Sequence, residues 1–268
     1  MKNWFYQVFM MELRKLLAYR ADFWVNFLGQ TLFSLLIAYF LWKSIFESTG
    51  QQVINGFDIQ TMVFYYLLAP LIFRIQQGQG IGFISQEIYD GSLNKYLLYP
   101  MNYFKFKLAT YGANSFFYIL QLIFIISIYS IFFNNNNVYV FNLKAFLYFL
   151  LSIGLGTICF YFMFCIIEFF AFWFDNTWSL GVILRFATSF LGGALIPLSF
   201  FPGWTQNVLS FTPFPYLINL PMNILMLKIQ TEEMFFQMFI SSIWTCFFSI
   251  VAYLLWRKGN YQYSGVGI

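Results

Sequence analysis

An all-α membrane protein with six transmembrane helices is the fold this sequence predicts, and three observations predict it. Hydrophobic residues make up 60% of the 268-residue chain and charged residues 9%. An ordinary soluble domain carries about 25% charge, so this chain could not cover a water-facing surface with polar groups. Its apolar residues gather into six runs, each close to the roughly 20 residues that a helix needs to cross a bilayer. Its cations fall unevenly between the segments that separate those runs.

The runs cover residues 23–42, 59–75, 108–133, 145–174, 178–196 and 234–256. They are apolar on every side, which suits helices whose backbone groups bond within the segment. The alternation of an outer-membrane barrel is missing. Residues 1–22 form a separate amphipathic unit. Read as a helix, they place Phe5, Val8, Phe9, Leu13, Leu16 and Leu17 on one face and Gln7, Arg14 and Lys15 opposite. This pattern fits a helix lying in the cytoplasmic headgroup layer; the alternative is a long first span. A cleaved signal peptide is excluded, because the basic residues come late and no small-residue cleavage site follows.

With six spans, both termini share one side. That side holds Lys2, Arg14, Lys15, Arg20, Arg74, Lys95, Lys105, Lys107, Arg257 and Lys258, against Lys43, Lys144 and Lys228 on the other. Cytoplasmic loops carry the excess of Lys and Arg, which puts both termini in the cytoplasm and the chain in the cytoplasmic (inner) membrane. The outer segments, 43–58 and 134–144 with its Asn134–Asn137 run, are too short to fold as domains.

Several chemistries are excluded. The chain has no histidine, which removes Ser-His-Asp triads, imidazole acid–base catalysis and His-held metals. Cys159, Cys165 and Cys246 each sit in an apolar run and read as small core residues, not a disulfide framework or metal site. A net charge of +4 without a run of like charge gives no nucleic-acid tail. The Gln76–Gly82 stretch looks superficially like a phosphate-binding glycine loop, yet no strand precedes it and no Gly-Lys-Ser/Thr follows. It reads as a helix end.

Residues 76–107 form the longest cytoplasmic segment. Within it Leu93, Tyr96, Leu97 and Pro100 fall at helical spacing, with Gly91 permitting a turn before them and Pro100 forcing a stop. So short a helix, bounded so sharply, either plugs into a groove on a soluble partner or rests on lipid. Farther on, Gly192, Gly193, Pro197, Pro202, Gly203, Pro213, Pro215 and Pro221 crowd a stretch that stays apolar through Phe200, Phe201, Trp204 and Phe211. One continuous helix cannot survive this. The expected form is a fifth span that breaks near Pro197, then short re-entrant helices over 197–224 on the outer side; the alternative is an interfacial loop with aromatic anchors.

Glu168 and Arg185 are the charges held well inside runs, Arg74 lying at the very end of the second. Counted from a turn at Asn176 and Thr177, both lie roughly 10–12 Å into adjacent antiparallel helices, so they are expected to face each other as a salt bridge. Such a pair either locks helix packing or lines a path. A rival reading makes Glu168 the cation site of an ion-coupled secondary transporter. An intramembrane aspartyl enzyme would need a second Asp at the depth of Asp175, and the sequence supplies none.

The pattern Glu87-x-x-x-Gly91-x-Leu93-x-x-x-Leu97-Leu98-x-Pro100, followed by Met101-Asn102-Tyr103-Phe104, resembles the cytoplasmic signature of type-2 ATP-binding-cassette (ABC) transporter permeases, where it lies between the second and third of six spans. Lys258-Gly259-x-x-x-Tyr263-x-Gly265-x-Gly267 is similar to the tail of one branch of those permeases, and the N-terminal helix resembles their connecting helix. The resemblance implies that the chain is a single permease domain and not an enzyme. Glu87, Gly91, Leu93, Leu97, Leu98 and Pro100 would form a coupling helix that docks on an ATPase subunit. Gly192, Gly193, Pro197, Pro202, Gly203 and Trp204 would belong to an external gate. Two ABC ATPases would hold the ATP and magnesium, and a second permease, identical or related, would complete the path. Aromatic residues at 25% of the chain suit a lateral, apolar route for an amphiphilic or lipid-like substrate of an exporter.

Overall fold

The structure, a computed structural model, describes residues 4–18, 20–78, 83–133 and 142–263. Among them every regular element is helical. In chain order these are α1 (Trp4–Ala18), α2 (Arg20–Thr49), α3 (Ile59–Gln77), α4 (Phe83–Tyr89), α5 (Leu93–Leu97), α6 (Tyr103–Phe133), α7 (Leu143–Phe169), α8 (Trp178–Leu191), α9 (Gly203–Leu209), α10 (Phe214–Leu217), α11 (Asn219–Leu225) and α12 (Thr231–Gln262). Short 3-10 turns follow α7 and precede α9. The Asn134–Asn137 run, Gln79–Gly82, and Gly265 and Gly267 of the C-terminal motif lie outside the described residues.

Among the described residues five helices are long and apolar enough to cross a bilayer: Phe27–Thr49, Ile59–Gln77, Tyr103–Ile131, Leu143–Phe172 and Thr231–Gln262. The sixth expected span, 178–196, does not form as one. Its helix, α8, has 14 residues, roughly 21 Å at 1.5 Å each against a hydrocarbon core of about 30 Å. The cause is local. Gly193 adopts φ +99°, a backbone state that ends a right-handed helix and that only glycine enters freely, so the break comes at Gly192–Gly193 and not near Pro197.

The chain beyond α8 fills the missing depth in an unexpected way. Helices α10 and α11 make a hairpin buried through Tyr216, Leu217, Ile218, Leu220, Met222 and Ile224. Its turn reaches the last turn of α3, where the Gln76 amide donates to the Leu217 carbonyl. The far end returns to the start of α3, where Lys228 donates to the Gly56 carbonyl at 3.2 Å and stands over the Phe57 ring. This segment, expected as outer structure, therefore lines much of the height of α3 and joins the main core. Its polar backbone is satisfied by side chains from α3: the Tyr65 hydroxyl donates to the Gly193 carbonyl at 2.6 Å and the Tyr66 hydroxyl to Leu195 at 2.7 Å. Of the residues expected around a gate, Gly192, Gly193 and Pro197 are buried, whereas Pro202, Gly203 and Trp204 are exposed on α9 and its approach.

Helix α7 is central, packing on α3, α10, α11 and α12. Only 11% of the α2 span and 17% of the α12 span are buried, against 50% in α3 and α7. So α3 and α7 form the interior of the bundle while α2 and α12 turn apolar faces outward. Helix α1 rests on α6 through Phe9, whose ring lies 5.9 Å from that of Phe116. Val8, Phe9, Leu13 and Leu16 are half-buried there and Gln7, Arg14 and Lys15 exposed, as the amphipathic pattern predicts; Phe5 and Leu17, expected on the covered face, are exposed.

A Cβ at Gly193 would stand 2.9 Å from the Tyr65 hydroxyl in a strained backbone state, whereas one at Gly203 would meet open space. Gly193→Ala is expected to cost about 1–3 kcal/mol and to lower the melting midpoint of the detergent-solubilised protein by several degrees. Gly203→Ala should leave the midpoint unchanged, and equal midpoints for the two variants would refute the assignment.

Candidate functional site

Helices α4 and α5 and the turn between them carry the candidate coupling residues. The first N–H groups of the seven-residue α4, like those of any helix, need an acceptor. Glu168, from the last turn of α7, supplies it. Its Oε2 accepts from the N–H of Ile84 at 2.9 Å and of Ser85 at 2.7 Å, and the residue is 1% exposed. A buried carboxylate is costly unless donors surround it. Here the helix N-terminus provides both the donors and the positive end of its dipole.

This arrangement corrects the expected salt bridge. Among the described residues Glu168 and Arg185 form no ion pair within 4 Å. Arg185 is half-buried, lies over the Phe164 ring at 6.0 Å and leaves its Nε without a hydrogen-bond partner in the interior. Equal depth in adjacent helices brings two side chains to one level; rotation about the helix axes decides which way each faces, and here the carboxylate turns to the backbone of α4.

Glu87 is likewise turned inward. The Tyr103 hydroxyl donates to its Oε2 at 2.6 Å and the Lys107 ammonium to its Oε1 at 2.5 Å. Both charged side chains are nearly covered, at 14% and 12% exposure. The rings of Tyr96 and Tyr103 flank the ammonium at 5.2 and 5.5 Å. Burial and the Glu87 carboxylate together raise the Tyr96 phenol above its ordinary pKa. The turn that follows is set by Asp90, whose carboxylate accepts from the Ser92 N–H at 2.9 Å; the hydrogen bonds from Ser92 hold its carboxyl below the usual range. Gly91 takes φ +75°, so a side chain there would be strained.

Leu93 is wholly buried among Ile84, Ile88, Tyr103, Cys165 and Phe169. The six predicted residues thus divide. Glu87, Gly91 and Leu93 anchor and shape the segment, while Leu97, Leu98 and Pro100 are exposed, with Leu98 85% exposed. Tyr99 beside them is 42% exposed. What protrudes is an apolar tip on a short helix whose base is held by two carboxylates.

The C-terminal motif has a packing role at the same place. Trp256 stacks on Tyr103 at 4.7 Å with an interplanar angle of 6°. A Cβ at Gly259 would fall 2.1 Å from the Phe172 ring, so the glycine lets α12 close on the chain after α7. Trp173 Nε1 donates to Gln262 Oε1 at 2.6 Å. Upstream, the end of α3 is secured by α6: the Ser115 hydroxyl donates to the Ile75 carbonyl at 2.9 Å, and the Tyr111 hydroxyl sits between the carbonyls of Gln76 and Thr157. Lys107, Tyr103, Trp256 and Gln76 carry no role predicted from the sequence. For Lys107 a signal exists there, since Glu87 and Lys107 are opposite charges bracketing the same loop. Among the described residues no group of three or more metal-ligating side chains converges.

A family model described as ABC-2 family transporter protein matches residues 32–267. No curated protein and no solved structure matches the chain.

The anchored base is open to two tests. Glu168→Leu strands two helical N–H groups and is expected to destabilise the protein by about 2–4 kcal/mol, with faster amide exchange confined first to Phe83–Tyr89; Glu168→Gln, which keeps an acceptor, should cost less. Unchanged exchange at Ile84 and Ser85 would contradict the cap. Glu87→Gln and Lys107→Met should each lower the melting midpoint, and the double variant should cost about 1–3 kcal/mol less than the sum; simple additivity would dissolve the pair.

Proposed function

The chain belongs to the ABC-2 transporter family and is a permease subunit of an ABC transporter, and on that premise we propose that it serves an exporter of amphiphilic or lipid-like molecules, driven by ATP hydrolysis in a separate subunit. The observation that carries the reading is the tip at Leu97, Leu98 and Tyr99, large apolar side chains left exposed on a segment whose base is turned inward. Exposed apolar groups on a rigid base suit a socket in a soluble partner. A push on that tip passes through Glu87 to α6 and through Glu168 to α7.

In this reading the Lys and Arg excess places both termini and the tip in the cytoplasm, and residues 197–224 form a re-entrant segment opening to the other side. Two ATPase subunits hold ATP and its magnesium, and a second permease closes the path. The chain's own residues receive and transmit the motion. Arg185, free of an ion pair among the described residues, lies over Phe164 of α7, where the motion would shift α8 against α7. The rival reading of Glu168 as an ion-coupling site is disfavoured by its geometry, since a carboxylate committed to two backbone N–H groups could not exchange a cation without uncapping α4.

Leu98→Asp tests the proposal. The exposed position should tolerate the change, leaving expression and melting midpoint intact. Placing a charge where an apolar side chain is desolvated by the partner should cost about 2 kcal/mol or more. Co-purification of the ATPase and stimulation of its ATP hydrolysis should therefore fall by about thirtyfold. Normal docking and stimulation by the variant would remove this reading.

A further inference from the structure

Between α2 and α3 lies a cleft of about 260 Å³ that the coupling site does not use. Its polar lining is Gln30, Thr31 and Ser34 from α2 with Arg74 and Gln77 from α3. Arg74 lies three residues before α3 ends, roughly 5 Å from that end, and Gln30, Thr31 and Ser34 line the cleft opposite it from the first half of α2. Leu67, Pro70 and Leu71 form the wall farther in.

The chemistry of the lining is one-sided. Arg74 is half-buried and has no carboxylate partner among the described residues; its guanidinium is steadied over the Tyr118 ring at 5.8 Å. The Thr31 hydroxyl is buried, in a residue 8% exposed, and has no hydrogen-bond partner. Ser34 spends its proton on the α2 backbone, so the donors left for a ligand are Arg74, Thr31 and the two glutamine amides. Among the described residues no acidic side chain lines the cleft. A fixed cation with neutral donors around it takes a phosphate oxyanion. Deeper along α2 its outward surface is exposed and apolar through Leu32, Phe33, Leu36 and Ile37, a bed for acyl chains and not for a free ion.

We propose that this cleft binds the phosphate headgroup of an anionic lipid from the cytoplasmic leaflet, its tails lying along α2. The inference deepens the exporter reading, and rests on it for the orientation and for the lipid-like class of ligand.

Native mass spectrometry of the full chain in maltoside detergent, titrated with phosphatidylglycerol, tests it. One tightly held lipid is expected on the wild-type chain. Arg74→Gln should weaken it about tenfold, Arg74→Lys should fall between, and Arg257→Gln, an exposed cation on α12, should bind as wild type. Where Arg74→Gln does not fold, Gln77→Glu, which sets a carboxylate beside the guanidinium, should cause the same loss. A phosphate-free glycosyl diacylglycerol should not be retained. Equal binding by wild type, Arg74→Gln and Gln77→Glu, an equal loss with Arg257→Gln, or displacement of the lipid by millimolar inorganic phosphate would overturn the proposal. Because no ATPase enters the assay, a failure here leaves the docking test of Leu98 untouched, and the reverse also holds.

Discussion

A buried carboxylate must find hydrogen-bond donors, and in this protein Glu168 finds them at the N-terminus of α4. That requirement ties the segment between α3 and α6 to the central helix of the bundle. A seven-residue helix is far too short to be stable alone, so α4 exists because α7 caps it and because Ile84 and Ile88 enter the aromatic cluster beneath. The Glu87–Lys107 pair then fixes its other end to α6. With both ends held, the turn at Gly91 and the buried Leu93 leave one way for the following residues to point, and the exposed Leu98 is the result. The exposure of the tip is thus a consequence of chemistry at the base.

The same demand for satisfied polar groups shapes the opposite half of the molecule. Once α8 stops at Leu191, a long stretch of broken helix has to be accommodated in an apolar bundle where water cannot serve its carbonyls. Side chains do it instead. Tyr65 and Tyr66 reach the carbonyls after α8, and Gln76 reaches Leu217 at the hairpin turn. All three come from α3, so the helix whose last turn Tyr111 and Ser115 secure also holds the hairpin. In the proposed mechanism α3 would be the member that carries motion from one end of the bundle to the other.

Cations are used in three different ways. Most of them mark orientation. Lys107 is neutralised by Glu87 and folded into structure, while Arg74 and Arg185 remain inside the bundle without an ion pair among the described residues. Arginines held among apolar helices face protein or water; Arg74 stands among neutral donors beside an outward apolar face of α2, where the proposed lipid would meet it, and Arg185 lies over Phe164 of α7.

Composition and spacing alone determined the solvent, the helical class, the family resemblance, the separate N-terminal helix and the presence of a helix break in the glycine- and proline-rich stretch. Each of these depends on properties that accumulate along the chain: length of an apolar run, position of a glycine or proline, count of charges between runs. Tertiary structure alone decided that α8 is half a span, that its continuation dives into the core, that Glu168 faces α4 and not Arg185, and that Glu87 and Leu93 anchor while Leu98 protrudes. Those outcomes turn on how each helix rotates about its own axis, and in a chain apolar on all sides no amphipathic stripe records that rotation. It is set by which neighbour supplies the donors and the space, and these exist only once the helices have come together.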